Sequence, residues 1–383
     1  MMRWSFFNPV HVHFGRGSRR ILFDEIAGKH CLIVCTVRGR KQFCEDPLMK
    51  GLLDNNEITW IDSISANPSI NSLQFVIDRL NSKMPDVVVA FGGGSVIDSA
   101  KILKVVLSTP SNSFENILLS EMLMNPSLIR QANPVQLYAL PTTSGTGSEV
   151  TPFATIWDHE KYKKYSLSDG NVFPYMAVVD PDLTDKLPTE VALSCGLDAI
   201  NQAAESIWNR NATSITKNLA VHALSLGFDA LPRIIKHGGK HDDWDAMAEC
   251  SLFAGMAISQ TRTALCHSIS YPITAHYGVP HGLACAFTMP SVLKLNLRAD
   301  DGRFGQVAEQ LLARGIGTGD ILSLFEELYE RLSVRQRVRS AVGSLEGLLS
   351  LIPQMYTPER ANNNLAPIDE TDIEQILRSS WNN

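Results

Sequence analysis

No apolar run in this 383-residue chain approaches the ~20 residues that a membrane-spanning helix needs. The opening stretch, MMRWSFFNPVHVHFG, carries one arginine and then Asn, Pro and two His, so it lacks the apolar segment of a secretory signal. A basic block is missing as well, and the formal net charge is −6. That balance argues against nucleic acid or an anionic membrane as the main partner. There are seven cysteines, an odd number, without a CxxC pair. They read as buried thiols in a reducing compartment rather than as a disulfide framework. Internal repeats and low-complexity tracts are absent. The expectation is a soluble, cytoplasmic protein that works on small molecules.

At this length two domains are expected, each large enough to bury its own core. Up to residue 186, short β-branched runs alternate with amphipathic stretches, the pattern of βα units around a parallel sheet. HCLIVCT (30–36), DVVVAFGGG (86–94), VQLYALPTTSG (135–145) and MAVVD (176–180) are the clearest strands, and VHVHFG near the start suits a sheet edge. Beyond VDPDLTDKLP (179–188) the period becomes helical, as in TEVALSCGLDAINQAAESIW and WDAMAECSLFAGMAISQ. The prolines between 181 and 188 mark the boundary. The fold class is therefore α/β plus all-α, with domains at 1–186 and 187–383. The polar stretch YTPERANNNLAPIDETD (356–372) reads as a surface loop.

The GxGxxG dinucleotide fingerprint is missing, yet strand 86–92 runs into Gly92-Gly93-Gly94-Ser95 and then a helix with Asp98 and Lys101. Glycines let the backbone approach an oxyanion, and the free N–H groups of a helix start point at it. A second loop, LPTTSGTGSEVT (140–151), packs Thr142, Thr143, Ser144, Thr146 and Ser148 among two glycines. Hydroxyls at that density are costly to bury without partners. Two such loops at strand ends suit one elongated phosphate-bearing ligand, such as a dinucleotide.

GLDAINQAAES (196–206) places Asp198 and Gln202 one helical turn apart on one face. His267 lies in a helical segment, and His281 sits between Pro280 and Gly282. A lone His is more often structural than a ligand. Together with Asp198, however, these two make a mixed N/O donor set that suits Zn2+ or Fe2+.

The motifs GGGSVIDSAK, PTTSGTGSEVTPFA, VDPDLTDKLP, GLDAI and HYGVPHG occur in the order and spacing of the iron-containing (group III) alcohol dehydrogenases, and the chain resembles that family densely over residues 5 to 300. The resemblance implies an N-terminal Rossmann-like dinucleotide-binding domain and a C-terminal helical domain, the dehydroquinate synthase-like fold. It implies NAD(H) or NADP(H), a divalent metal such as Fe2+ or Zn2+, and a homodimer or higher homo-oligomer. Carried over by motif, Gly93, Gly94 and Ser95 would hold the pyrophosphate with Asp98 supporting the loop. Thr142, Thr143, Ser144 and Thr146 would line the nicotinamide side, Asn67 the adenosine half, and Lys164 the ribose. The family's metal positions fall on Asp198, Gln202, His267 and His281. One of its histidines is thus a glutamine here, and relatives in the wider fold resemble this arrangement in having one acid and two histidines. Gln202 would be a weak or water-mediated fourth ligand.

The reaction implied is hydride transfer between the nicotinamide and a carbonyl carbon. Many relatives have a second His four residues after the third ligand, whereas this chain has Tyr271, a candidate proton relay. Many NAD-using members carry an acid at the end of the second strand, where this chain has Thr36 followed by Arg38, Arg40 and Lys41. That exchange favours NADPH. Arg262, flanked by threonines, is suited to an anionic substrate group. The stretch resembles the phosphonoacetaldehyde-reductase-like branch, so reduction of phosphonoacetaldehyde to 2-hydroxyethylphosphonate is expected. A general alcohol or polyol dehydrogenase and a dehydroquinate-synthase-like lyase are the alternatives.

Overall fold

Strands form where β-branched residues run uninterrupted, and the longest such runs are buried on both faces. The computed structural model describes residues 3–80, 84–109, 118–125, 134–158, 163–317 and 319–382. Its contacts divide the chain into two units. One holds Asn8–Thr143 and Ser148–Lys186, and the other holds Leu187–Asn383 together with Met1–Phe7 and Ser144–Gly147.

The first unit is built on β1 (His11–Phe14), β2 (His30–Cys35), β3 (Glu57–Ile61), β4 (Val87–Gly92), β5 (Gln136–Pro141) and β8 (Met176–Val179). They form one parallel sheet in the order β1-β8-β5-β4-β2-β3, with β1 at an edge as its alternating pattern predicts. Side chains alternate between faces. Leu32, Val34, Val88, Ala90, Leu137 and Ala139 join the core on one side, and Cys31, Ile33, Val89, Phe91, Tyr138 and Leu140 join that on the other. Burial on both faces is why these strands read as continuous apolar runs. Three helices of this unit are α1 (Val37–Glu45), α2 (Ile70–Ile77) and α3 (Gly94–Leu107).

The antiparallel hairpin of β6 (Phe153–Asp158) and β7 (Lys163–Ser168) is absent from the sequence-based expectation. Its tie to α3 is polar. Lys101 is fully buried and donates to the Ser148 and Thr151 hydroxyls at 3.0 Å each and to the Phe153 carbonyl at 2.7 Å. Burial pulls this ammonium down to about 8. Lys101 therefore anchors the hairpin to α3.

The second unit comprises α4 (Thr189–Trp208), α5 (Ser214–His237), α6 (His241–Thr261), α7 (Leu265–Tyr277), α8 (His281–Leu297), α9 (Arg303–Ala313), α10 (Ile321–Arg331), α11 (Val334–Val342) and α12 (Glu370–Asn382), among shorter turns. Helix α4 lies against α5, α6 and α8. Its Leu197, Ile200, Ala203, Ala204, Ile207 and Trp208 fill the core at three- and four-residue spacing. A capping box at Thr213 and Thr216 starts α5, and Gly238, with φ of 80°, ends it.

The segment 356–372 departs from its reading as a surface loop. Asn364 is fully buried, accepts from Asn296 Nδ2 at 3.0 Å and donates to the Ala366 carbonyl at 3.0 Å. An asparagine-rich stretch looks solvated in sequence, but paired amides satisfy one another inside a core.

Candidate metal and cofactor sites

Asp198 reaches the interior because α4 is buried on most of its circumference, and its carboxylate stands 3.4 Å from His267 Nε2. The orientation of His267 is set from behind. Glu205, wholly buried and two turns beyond Asp198 on the same helix, accepts from His267 Nδ1 at 2.7 Å. The same carboxylate accepts from the backbone N–H groups of Ala264 at 2.7 Å and Cys266 at 2.6 Å. It thus caps the first turn of α7 while holding the Nδ1 proton of the imidazole, so that Nε2 is the ring atom that faces Asp198.

His281 opens α8 after Pro280. Ser270 donates its hydroxyl to the His267 carbonyl at 2.8 Å and faces His281 Nδ1 at 3.4 Å, which leaves His281 Nε2 toward the cluster. The two imidazoles meet edge to face at 5.3 Å between centroids. Their approach depends on Gly282: a Cβ there would lie 1.9 Å from the Ser194 carbonyl and 2.8 Å from the Asp198 nitrogen. Only glycine lets α8 press this closely on α4.

One donor atom each from Asp198, His267, His281 and Cys285 lies within 4.8 Å of every other. Gln202 adds a buried Oε1 without a hydrogen-bond partner among the described residues, one turn past Asp198. Burial works against a charged His267 ring, yet Cys285, Glu205 and Asp198 hold its pKa well above that of free imidazole. A pocket that favours positive charge in its midst, lined by a carboxylate, two imidazoles, a thiol and an orphaned amide oxygen, fits a divalent cation. Tyr271 stacks on His281, with centroids 5.6 Å apart and planes at 6°. Both rings are partly exposed, so they form the open side of the cluster.

The glycine-rich elements also meet. Sheet register places Gly92 opposite Pro141, and Thr142 N donates to the Gly92 carbonyl at 3.1 Å. A Cβ on Gly93 would approach Thr143 Oγ1 at 3.0 Å. Helix α3 begins at Gly94, and Ser95 Oγ accepts from the N–H of Asn67, whose own φ is 52°. Asp98 accepts from Ser148 Oγ at 2.5 Å and from Thr155 N at 2.8 Å. Burial pushes its carboxyl up, while Lys101, Ser148, Thr155 and Lys164 pull it back. Lys164 stands on β7 with its Nζ 5.5 Å from the Trp157 ring centroid. Thr36 caps α1, accepting from Gly39 N at 2.9 Å.

Ser144 and Thr146 group with the helical unit rather than with the sheet. A Cβ on Gly145 would meet the Cys195 backbone at 2.8 Å, and one on Gly147 would meet Gly255 Cα at 2.4 Å. The Ser144 Oγ is buried without a hydrogen-bond partner among the described residues.

Two of the basic residues stand in settings that the sequence does not reveal. Arg262 does not stand on a continuous helix one to two turns before His267, because α6 stops at Thr261 and α7 starts at Leu265. It is the exposed C-cap of α6, with φ of 64° and ψ of 174°. Arg40 is not an uncommitted cation for a 2′-phosphate, since its Nη1 binds Asp62 Oδ2 at 2.7 Å and its guanidinium lies 4.9 Å over Trp60. Three residues in or beside this donor cluster escape sequence reasoning. Glu205 acts through a histidine far along the chain, Ser270 faces a histidine on the next helix, and Cys285 reads as one more buried thiol. One signal was available for Cys285, its place one turn after His281.

A parallel sheet with a glycine-rich helix start, and a helical unit with a cation-fitting donor cluster, define a nucleotide-dependent enzyme that works with a metal. The chain belongs to the iron-containing alcohol dehydrogenase family. Residues 9–181 match the family model described as iron-containing alcohol dehydrogenase, and 192–381 match that of the Fe-containing family's C-terminal domain. It is 28% identical over 340 residues to the NADPH-dependent butanol dehydrogenase of Clostridium saccharobutylicum, covering 88% of this chain and 85% of that one. It is 31% identical to the 1-propanol dehydrogenase PduQ of Citrobacter freundii, covering 77% of this chain and 74% of that one. Among solved structures, the sulfoacetaldehyde reductase of Bifidobacterium kashiwanohense in complex with NAD+ superposes with a TM-score of 0.87 at 25% identity over all of both chains. The iron-containing alcohol dehydrogenase of Thermotoga maritima superposes at 0.83 with 27% identity over 99% of both chains. The chain is a metal-dependent, NAD(P)-linked oxidoreductase of the alcohol dehydrogenase and aldehyde reductase type. Among the described residues, no helix is long and apolar enough to cross a membrane.

Proposed function

We propose that this enzyme reduces a short aldehyde carrying an anionic group, with phosphonoacetaldehyde to 2-hydroxyethylphosphonate as the leading case, and that Asp198, His267 and His281 hold its metal. The convergence of these three donors with Glu205 behind His267 supports the metal reading. A cation held there supplies Lewis acidity toward the substrate oxygen, and the nicotinamide supplies the hydride.

The chain's own groups do the rest. Asp198 brings negative charge into a buried site, which favours a cation. Glu205 and Ser270 fix both imidazoles in the tautomer that presents Nε2. Tyr271, at the open side, delivers the proton that the product alcohol gains. Gly93, Gly94 and Ser95, at the start of α3, hold the cofactor's pyrophosphate through backbone N–H groups. Asp98 braces that loop through Ser148 and Thr155. Asn67 lies beside the adenosine half, Lys164 serves the ribose, and Thr142, Thr143, Ser144 and Thr146 line the nicotinamide. The active enzyme is a homodimer or higher oligomer, as its family suggests.

The anionic substrate is supported by the backbone of Arg262. Its φ and ψ fall in a region that is essentially reserved for glycine and costs ~1–3 kcal/mol for other residues. Retaining a guanidinium at that cost fits a functional role. The likeness to a sulfoacetaldehyde reductase, by its name an enzyme of a short anionic aldehyde, supports the same reading. NADPH is the favoured cofactor on the strength of Thr36 and Arg38, with Arg40 already paired to Asp62. Relatives named for butanol and 1-propanol favour the second reading, a neutral substrate. Steady-state rates with phosphonoacetaldehyde, sulfoacetaldehyde, propanal and butanal, each with NADPH and NADH, decide between them. A kcat/KM for propanal equal to or above those of the anionic aldehydes rejects the anionic reading, and a preference for NADH rejects the cofactor assignment.

A further inference from the structure

We infer that Cys285 is a ligand of the metal centre, completing an Asp-His-His-Cys donor set in place of the imidazole that Gln202 replaces. The inference rests on the reading of Asp198, His267 and His281 as metal ligands.

Position is the first argument. Cys285 follows His281 by one turn of α8, so both side chains project from the same face toward α4 and α7. Its sulfur stands 3.8 Å from His281 Nε2, just as Asp198 Oδ1 stands 3.4 Å from His267 Nε2. A tetrahedral ion with bonds of ~2.0–2.3 Å places neighbouring N, O and S donors ~3.3–3.6 Å apart. The two observed separations are thus close to edges of such a tetrahedron, and all four donor atoms stay within 4.8 Å of one another.

Chemistry is the second. The thiol is wholly buried, with a carboxylate and two imidazoles as its neighbours in the cluster. A divalent ion is a far larger local charge than an imidazolium and deprotonates a coordinating thiol outright. The thiolate then binds more strongly than the neutral amide oxygen of Gln202, and its softness selects Zn2+ over harder ions. An ion that expands to five ligands still keeps a position for substrate. The other cysteines of the chain do not share this setting: Cys285 alone among them lies in the donor cluster of the described residues.

Cobalt(II) substitution reads the bond directly. The full chain is stripped with a chelator and titrated with Co2+, following the near-ultraviolet thiolate-to-cobalt charge-transfer band and the visible ligand-field bands. The wild type is expected to show both. Cys285→Ser, nearly isosteric, should bind Co2+ without the charge-transfer band and on the order of tenfold or more weakly, at least the loss seen for outer-shell partners. Gln202→Ala should keep the band. Stoichiometric Co2+ binding without the charge-transfer band overturns the thiolate ligand and leaves the Asp198, His267 and His281 centre standing. Absence of Co2+ binding, or binding unaffected by His267→Ala, overturns the metal centre and the thiolate with it.

Discussion

At the scale of single residues, the cluster is a lesson in how a carboxylate can serve without touching the reacting atoms. Glu205 accepts four hydrogen bonds, three from the backbone at the start of α7 and one from His267 Nδ1. Glu205→Gln keeps the shape but turns an amide N–H2 toward donors. It should weaken Zn2+ or Co2+ binding by about 10- to 100-fold, as loss of an outer-shell partner does, measured by competition with a chromophoric chelator. An affinity equal to wild type removes Glu205 from the positioning role. Tyr271→Phe should lower kcat while metal content stays equimolar, and an unaltered kcat ends the relay idea. Arg262→Gly separates function from strain. Relief of ~1–3 kcal/mol of backbone strain is offset by ~1 kcal/mol of extra unfolded-state freedom, so the melting temperature should hold or rise. At the same time kcat/KM should fall for phosphonoacetaldehyde and stay level for propanal. An equal fall for both aldehydes takes Arg262 out of substrate selection.

At the scale of elements, the site is made by helices that approach closely enough to share it. The Gly282 contact with Ser194 brings the first turn of α8 onto α4, and so His281 onto Asp198. Gly282→Ala must push the helices apart, since its Cβ would fall on a backbone oxygen rather than on a side chain that can turn away. A loss of ~1–3 kcal/mol in denaturant unfolding is expected from overpacking of this kind, together with weaker metal binding. Full stability in that variant shows that α8 shifts freely and that the contact does not position His281. Gly147 makes a comparable approach to Gly255, in a left-handed conformation with φ of 60°. That contact explains why a loop written into the α/β half of the sequence groups with the helical unit.

At the scale of the whole molecule, binding of an ion to the folded state alone stabilises it by mass action, about 2.7 kcal/mol at one hundred times Kd. Chelation should therefore lower the melting temperature and abolish activity, and Zn2+ should restore both; a melting temperature indifferent to chelation argues that the cluster holds no ion. The sequence by itself determined the class of architecture. Runs such as DVVVAFG suit a strand buried between two layers, and TEVALSCGLDAINQAAESIW suits a helix with a broad apolar face, because side-chain period follows from backbone geometry. It also carried Asp198, His267, His281 and the Gly93–Ser95 turn, because local spacing and turn chemistry mark them. Only the tertiary structure decided the remainder. Glu205 meets His267, and Arg40 meets Asp62, across long stretches of chain, and no local period encodes such pairings. Asn364 turned from a surface loop residue into a core one for the same reason. Cys285 joined the donor cluster because two helices approach where a glycine allows it, a contact set by packing rather than by pattern.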